Sequence, residues 1–163
     1  MDQDKIRLLI VDDEVRFLET LSQRLVMRDF DVSPVSSGDE AVKLAREKEF
    51  DIALVDLKMP GMSGEEVLRT LKKEHPLVEV VILTGHGSID SAVQCVKEGS
   101  YQYLQKPCET DELMEVLKEA FKVRVKRKLE IDGEKLEQLM GTVYGESALS
   151  ILRKLKDLDR KGG

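Results

Sequence analysis

The sequence predicts an α/β domain, a five-stranded parallel doubly wound sheet, with a C-terminal helical extension. Three observations carry that prediction. Five short apolar runs alternate strictly with five helix-length amphipathic stretches between residue 5 and about residue 125. Strict alternation of this kind argues for a parallel sheet covered by helices on both faces. Four of the runs also break into polar residues at their C-terminal ends: Ile10-Val11-Asp12-Asp13-Glu14, Leu54-Val55-Asp56, Ile82-Leu83-Thr84-Gly85 and Tyr103-Leu104-Gln105-Lys106-Pro107. Beyond Arg124 the pattern changes character.

Residues 5–11 read as a buried strand, and 15–28 as an amphipathic helix with Phe17, Leu18, Leu21, Leu25 and Val26 towards the core. Residues 31–35 form a second strand, confined to an edge because Pro34 cannot donate to a ladder. Residues 38–48 have helical spacing through Ala41, Val42, Leu44 and Ala45, and 52–56 are the third strand. The turn Met59-Pro60-Gly61-Met62-Ser63-Gly64 is rich in structure-punctuating residues. A helix over 65–74 turns Val67, Leu68 and Leu71 inward and ends before Pro76. Then come a strand over 78–84, a helix over 88–97 stopped by Gly99, and a strand over 101–105. A long helix starts at Asp111 and runs through Leu113, Val116, Leu117 and Phe121.

The domain therefore covers residues 1–125, and 126–163 is the helical extension. The basic run Lys122-Val123-Arg124-Val125-Lys126-Arg127-Lys128 crosses the boundary. Gly133, Gly141 and Gly145 are expected to divide two further helical pieces, over 134–140 and 147–159. The second carries Leu149, Leu152, Leu155 and Leu158 at three-residue steps, beside Ile151.

A length of 163 residues fits one domain of ordinary size plus this extension. With 41% hydrophobic and only 4% aromatic residues, the core is aliphatic. Net charge −6 and a pI near 5.1 argue against broad electrostatic binding to nucleic acid. Cys95 and Cys108 follow no ligand or disulfide spacing, which points to a reducing, cytoplasmic setting. The N-terminus has the wrong charge for a signal peptide, and no apolar run approaches membrane-span length. The six methionines are scattered and read as packing filler.

In a parallel sheet the ligand crevice lies outside the carboxyl ends of the strands. Asp12, Asp13, Asp56, Thr84 and Lys106 would meet there. Carboxylates that close repel unless a hard cation sits among them, so the constellation suits Mg²⁺ and a phosphoryl group. Taken singly, each acid has a blander reading. Asp12 and Asp13 would serve as caps for the helix starting at Val15, and Asp56 as a solvated strand end. Their joint occurrence favours the site.

The set Val11-Asp12-Asp13-Glu14, Asp56-Leu57-Lys58-Met59-Pro60-Gly61-Met62-Ser63-Gly64, Thr84-Gly85-His86-Gly87 and Tyr103-Leu104-Gln105-Lys106-Pro107 resembles the receiver domain of bacterial two-component response regulators. The stretch 84–90 looks most like receivers that head transcription activators. The resemblance spans residues 4 to about 125 and implies a flavodoxin-like strand order, 2-1-3-4-5. It implies that Asp56 accepts a phosphoryl group from a sensor histidine kinase or phosphotransfer protein. Asp13, Asp56 and the Lys58 backbone carbonyl would hold Mg²⁺, with Asp12 bound directly or through water. Lys106 and Thr84 would bind phosphoryl oxygens, a cis peptide before Pro107 would aim the lysine, and small Gly85 would leave the acceptor open. As the resemblance has it, Thr84 turns towards the phosphoryl group and Tyr103 fills the vacated space. The face of the fourth helix, fifth strand and fifth helix then repacks.

Lys58 and His86 flank the site and are expected to tune phosphoryl lifetime, ahead of the alternatives of a catalytic histidine or plain loop surface. His75 reads as a helix end, and Cys108 as a residue leading into a helix rather than a redox centre. Catalysis would be limited to the chain's own phosphorylation and slow hydrolysis, so it is not an enzyme acting on a separate substrate. The rival reading is a pseudo-receiver that binds proteins without carrying phosphate, but such domains lack a pocket acid, the threonine or the lysine, and here all five remain. Neither an ATPase nor a DNA-binding domain fits before Gly163, which leaves either a short regulator or a receiver cut from a longer one. Self-association as a homodimer is expected, through the switch face or the leucine stripe.

Overall fold

The computed structural model describes residues 5–143, together with Arg153 and Asp157. Strands β1 (Ile6–Val11), β2 (Phe30–Val35), β3 (Ile52–Val55), β4 (Glu79–Thr84) and β5 (Gln102–Gln105) alternate with helices α1 (Val15–Val26), α2 (Gly38–Glu47), α3 (Gly64–Glu74), α4 (Ile89–Lys97) and α5 (Thr110–Val143). Every pairing is parallel, and the order is β2-β1-β3-β4-β5. Pro34 lies in the edge strand β2, where its missing N–H costs no central ladder bond.

The two-residue period of the strands sorts the core into two layers. Leu9, Val11, Ala53, Val55, Val80 and Ile82 pack with Ala41 and Ala45 of α2 and Val67, Leu68 and Leu71 of α3. The residues between them, Leu8, Ile10, Ile52, Leu54, Val81 and Leu83, pack with Leu18, Leu21 and Leu25 of α1 and Leu113, Leu117 and Ala120 of α5. Each fully buried leucine here contributes about 1.5–3 kcal/mol of transfer free energy. The sheet is thus covered on both faces by aliphatic side chains, as its composition required. Among the methionines, Met59 is buried in this core, whereas Met27 is 82% exposed and fills nothing.

Local chemistry fixes the helix starts. The hydroxyls of Ser37 and Ser63 accept the N–H groups of Glu40 and Glu66, and Ser88 and Ser91 form a reciprocal capping box. The start of α1 differs: Glu14 occupies its N-cap without a side-chain cap bond. The capping reading of Asp12 and Asp13 therefore does not hold. Asp12 Oδ1 instead accepts the Glu14 N–H at 2.9 Å, across the turn that precedes the helix. His75 stands at the C-cap of α3, a helix end as expected.

A compact unit ends at Arg124, and a second begins at Val125. Helix α5 runs unbroken through Gly133 and Gly141, so the expected division at those glycines is overturned. One glycine costs a helix interior only about 1 kcal/mol. The neighbouring Glu130, Glu134, Lys135, Leu136 and Glu137 are strong helix formers that absorb it. Apart from Arg153 and Asp157, both helical and exposed, the leucine-striped piece over 147–159 lies outside the described residues. Among the described residues, no helix is long and apolar enough to cross a membrane.

Candidate functional site

Strand register builds the site. Leu8 pairs with Ile52 and Val11 with Val55, so Asp12 and Asp56 leave adjacent strands side by side. The Asp56 N–H bonds to the Val11 carbonyl at 3.0 Å, which ties the two strand ends together. Thr84 pairs with Gln105, and the Lys106 N–H donates to the Thr84 carbonyl at 2.9 Å. The polar residues at the C-terminal ends of β1, β3, β4 and β5 therefore arrive at one edge, the one the sequence predicted.

Asp12, Asp13 and Asp56 each offer a carboxylate oxygen, all within 4.8 Å of one another. Asp12 and Asp56 are each 2% exposed, and Asp13 is more open to solvent. Lys106 Nζ reaches Asp12 Oδ2 at 2.6 Å and lies 4.0 Å from Glu14 Oε1. The three clustered carboxylates are a donor set suited to a hard divalent cation bound through oxygen. The Lys106–Pro107 peptide is cis, as the resemblance implied.

The Asp56 carboxyl is pushed above its ordinary range, first by burial and further by the Asp12 charge. The Thr84 hydroxyl, the Lys106 ammonium and the Leu57 N–H oppose that rise. The Leu57 N–H bonds to Asp56 Oδ1 at 3.0 Å. Thr84 is fully buried, and its Oγ1 accepts the His86 N–H at 3.1 Å, which leaves the hydroxyl proton free to be donated towards the acids. Gly85 is open: a methyl group there would meet only the Lys106 side chain, at van der Waals distance.

Gly64 holds the acceptor loop. Its N–H donates to the Leu57 carbonyl at 2.8 Å, and a Cβ at this position would overlap the Asp56 carbonyl oxygen and the Leu57 Cα. Both obstacles are backbone and cannot rotate away. Gly64→Ala is expected to destabilise the fold by about 1–3 kcal/mol and to weaken Mg²⁺ binding through displacement of Asp56. Thermal melts with and without Mg²⁺ measure both, and parental values in each would refute it.

Lys58 and His86 are exposed at the rim, on the β3–α3 and β4–α4 loops. Half-buried Tyr103 places its hydroxyl 3.0 Å from Ser91 Oγ in the first turn of α4, and in the space that a side chain at Gly87 would need. Cys108 is half-buried two residues before α5, where burial foremost raises its thiol pKa. Sequence reasoning missed Ser91, whose only sequence signal was its spacing from the cap residue Ser88. It also missed the part of Phe17 near Lys106: Nζ sits 4.0 Å from the centre of that ring.

A family model of the response regulator receiver domain matches residues 8–118. The chain is 33% identical over 134 residues to the luminescence regulatory protein LuxO of Vibrio campbellii, an alignment covering 82% of this chain and 30% of that protein. It is 35% identical over 120 residues to the transcriptional regulatory protein ZraR of Klebsiella oxytoca, covering 74% and 27%. The chain thus spans less than a third of the length of these curated relatives. Among solved structures, a CheY-like receiver domain protein from Methanospirillum hungatei superposes with a TM-score of 0.73 at 29% identity, covering 76% of this chain and 98% of that one. A receiver domain protein from Clostridium thermocellum gives 0.68 at 34% identity, covering 77% and 98%.

Proposed function

The chain belongs to the response regulator receiver family, and from that premise we propose that it is a switch driven by phosphorylation of Asp56 in the presence of Mg²⁺. The observation that carries this reading is the convergence of the Asp12, Asp13 and Asp56 carboxylates, with Thr84 and Lys106 closing the same edge. The donor is a phosphohistidine on a sensor kinase or phosphotransfer protein. An Asp56 oxygen attacks phosphorus, the P–N bond breaks as the O–P bond forms, and the imidazole nitrogen leaves protonated. Mg²⁺, held by Asp12, Asp13, Asp56 and the Lys58 carbonyl, would supply charge neutralisation of the phosphoryl oxygens. Lys106 pairs with one phosphoryl oxygen and Thr84 donates its hydroxyl to another. No substrate beyond the chain itself is turned over. The direct test is a phosphoryl donor of low mass with Mg²⁺, read by intact mass; addition of one phosphoryl group is expected.

Lifetime is set at the rim. Lys58 and His86 are exposed on the loops that follow β3 and β4, and in this reading they order or exclude the hydrolytic water. Substituting either is expected to change the dephosphorylation rate several-fold with Mg²⁺ affinity roughly intact. Decay of labelled protein measures it, and unchanged rates in both variants would reduce these positions to bland surface.

The signal leaves through α4, β5 and α5, where movement of Tyr103 would be felt by Ser91. The output is control of a partner or a linked domain, in keeping with relatives such as the transcriptional regulatory protein ZraR. Self-association is part of this reading. Helix α4 exposes Ile89, Val93 and Val96 at steps of four and three, and separately the stretch after Arg124 exposes Val125, Leu129 and Leu136. A homodimer that tightens on phosphorylation is expected by sedimentation equilibrium, and loosening is expected in a version ending after Lys126, which keeps Arg124. A chain that stays monomeric at high concentration, with and without a phosphoryl mimic, rules the dimer out.

A further inference from the structure

We propose that Phe17 is a positioning residue for Lys106, holding the ammonium beside the acidic cluster without adding charge to it. This inference rests on the receiver reading above. Lys106 has four flexible methylenes, yet its side chain is only 14% exposed and Nζ faces the Phe17 ring as well as the Asp12 and Glu14 carboxylates. It lies 2.6 Å from Asp12 Oδ2 and 4.0 Å from the centroid of the Phe17 ring. Phe17 itself is half-buried at the rim of the layer formed by Leu18, Leu21 and Leu113. It lies in the first turn of α1, three residues after Glu14.

The chemistry favours a ring over an acid there. The face of an aromatic attracts a cation through its quadrupole and carries no net charge. A further carboxylate would pull Lys106 more strongly, but it would also compete for the divalent cation and repel an incoming phosphoryl group. An aliphatic side chain would leave the inner side of the ammonium without compensation. Phe17 thus lets Lys106 neutralise Asp12 while the cation is absent. The ring and Asp12 hold the same ammonium, so Phe17 favours the lysine over Mg²⁺ at Asp12.

A bland packing role for Phe17 predicts otherwise, and three variants separate the two. In the intact chain, the Lys106 ε-methylene protons are expected to be shifted upfield by the ring, identified by their loss in Lys106→Arg. Phe17→Leu keeps apolar volume but removes the ring, so the upfield shift should vanish and Mg²⁺ should bind more tightly, by roughly two- to five-fold. Phe17→Tyr keeps the ring and should retain parental values in both. Calorimetric titration with Mg²⁺ and lysine methylene spectra provide the readouts, neither of which needs phosphorylation. Parental shift and affinity in Phe17→Leu would overturn the proposal, as would equal losses in Phe17→Tyr. Normal labelling of Asp56 in that case leaves the receiver reading standing, whereas no labelling of the parent chain would remove that reading by itself.

Discussion

Asp56→Asn is expected to abolish phosphoryl transfer to this chain, the largest functional effect of any single substitution. The amide keeps the size of the carboxylate and one acceptor oxygen, so the Leu57 N–H that bonds Asp56 Oδ1 at 3.0 Å retains a partner. It lacks the anionic nucleophile that must attack phosphorus. Chelation of Mg²⁺ should abolish labelling of the parent as well, because close carboxylates and phosphoryl oxygens need a counter-charge. Intact mass after incubation with a small phosphodonor is the measurement. Labelling of Asp56→Asn equal to the parent would sink the assignment of the acceptor.

The same variant should be more stable than the parent at neutral pH without metal. Burial and the Asp12 charge raise the Asp56 pKa above its unfolded value. Such a group favours the fold while protonated, and that contribution is lost as pH rises through the folded pKa. Above it, the parent carries a charged, poorly solvated carboxylate that the variant lacks. The gap should close on acidification below the ordinary carboxylate range, where Asp56 is protonated in both folded and unfolded chains. Added Mg²⁺ should reverse the order, since a cation that binds only the native acids stabilises the parent by mass action. Thermal melts across pH, with and without Mg²⁺, follow all three.

What could be read from the sequence was what local pattern and strand ends encode. The breaks at Asp12, Asp56, Thr84 and Lys106 were enough to place all four at one edge, because parallel strands in register bring their C-terminal ends together. Pro34 located the edge strand for the same kind of reason. Contacts made by side-chain geometry across distant segments were not legible. Phe17 and Lys106 lie far apart in the chain, and whether an ammonium settles over a ring depends on rotamers that spacing does not reveal. Ser91 reads as a helix-cap partner, and only the fold brings Tyr103 to it. Gly133 misled in the other direction, since a glycine marks a helix break only where its neighbours do not outweigh its cost. Asp51 gave no warning at all, although it stands one residue before β3 and fastens the opposite edge of the sheet.

Asp51→Ala is expected to cause the largest loss of stability. The carboxylate is buried, and its Oδ2 accepts the Arg7 backbone N–H at 2.8 Å and the Arg7 Nε–H at 3.2 Å. Its Oδ1 accepts from Arg7 Nη2 at 3.0 Å and lies 3.0 Å from Arg124 Nε, an ion pair rather than an aligned hydrogen bond. One side chain thus joins β1, the start of β3 and α5. Arg124 and Asp51 are each only 8% exposed as side chains, so the pair is held away from screening water. The Arg7–Glu49 contact, with Glu49 79% exposed, adds little by comparison. Removing one partner of a buried pair leaves the other charge uncompensated, at a cost of about 3–5 kcal/mol. Domains of ordinary stability have about 5–15 kcal/mol in all, so the loss should lower the melting temperature by about 10–20 °C. Asp51→Asn keeps an acceptor for the Arg7 N–H and should fall between alanine and parent. Because the acidic cluster lies at the other end of the strands, Asp56 should still be labelled at temperatures where either variant is folded. A melting temperature for Asp51→Ala within about 2 °C of the parent, by thermal denaturation at neutral pH, would show that the two arginines find other partners and that the clamp is not what holds α5 to the sheet.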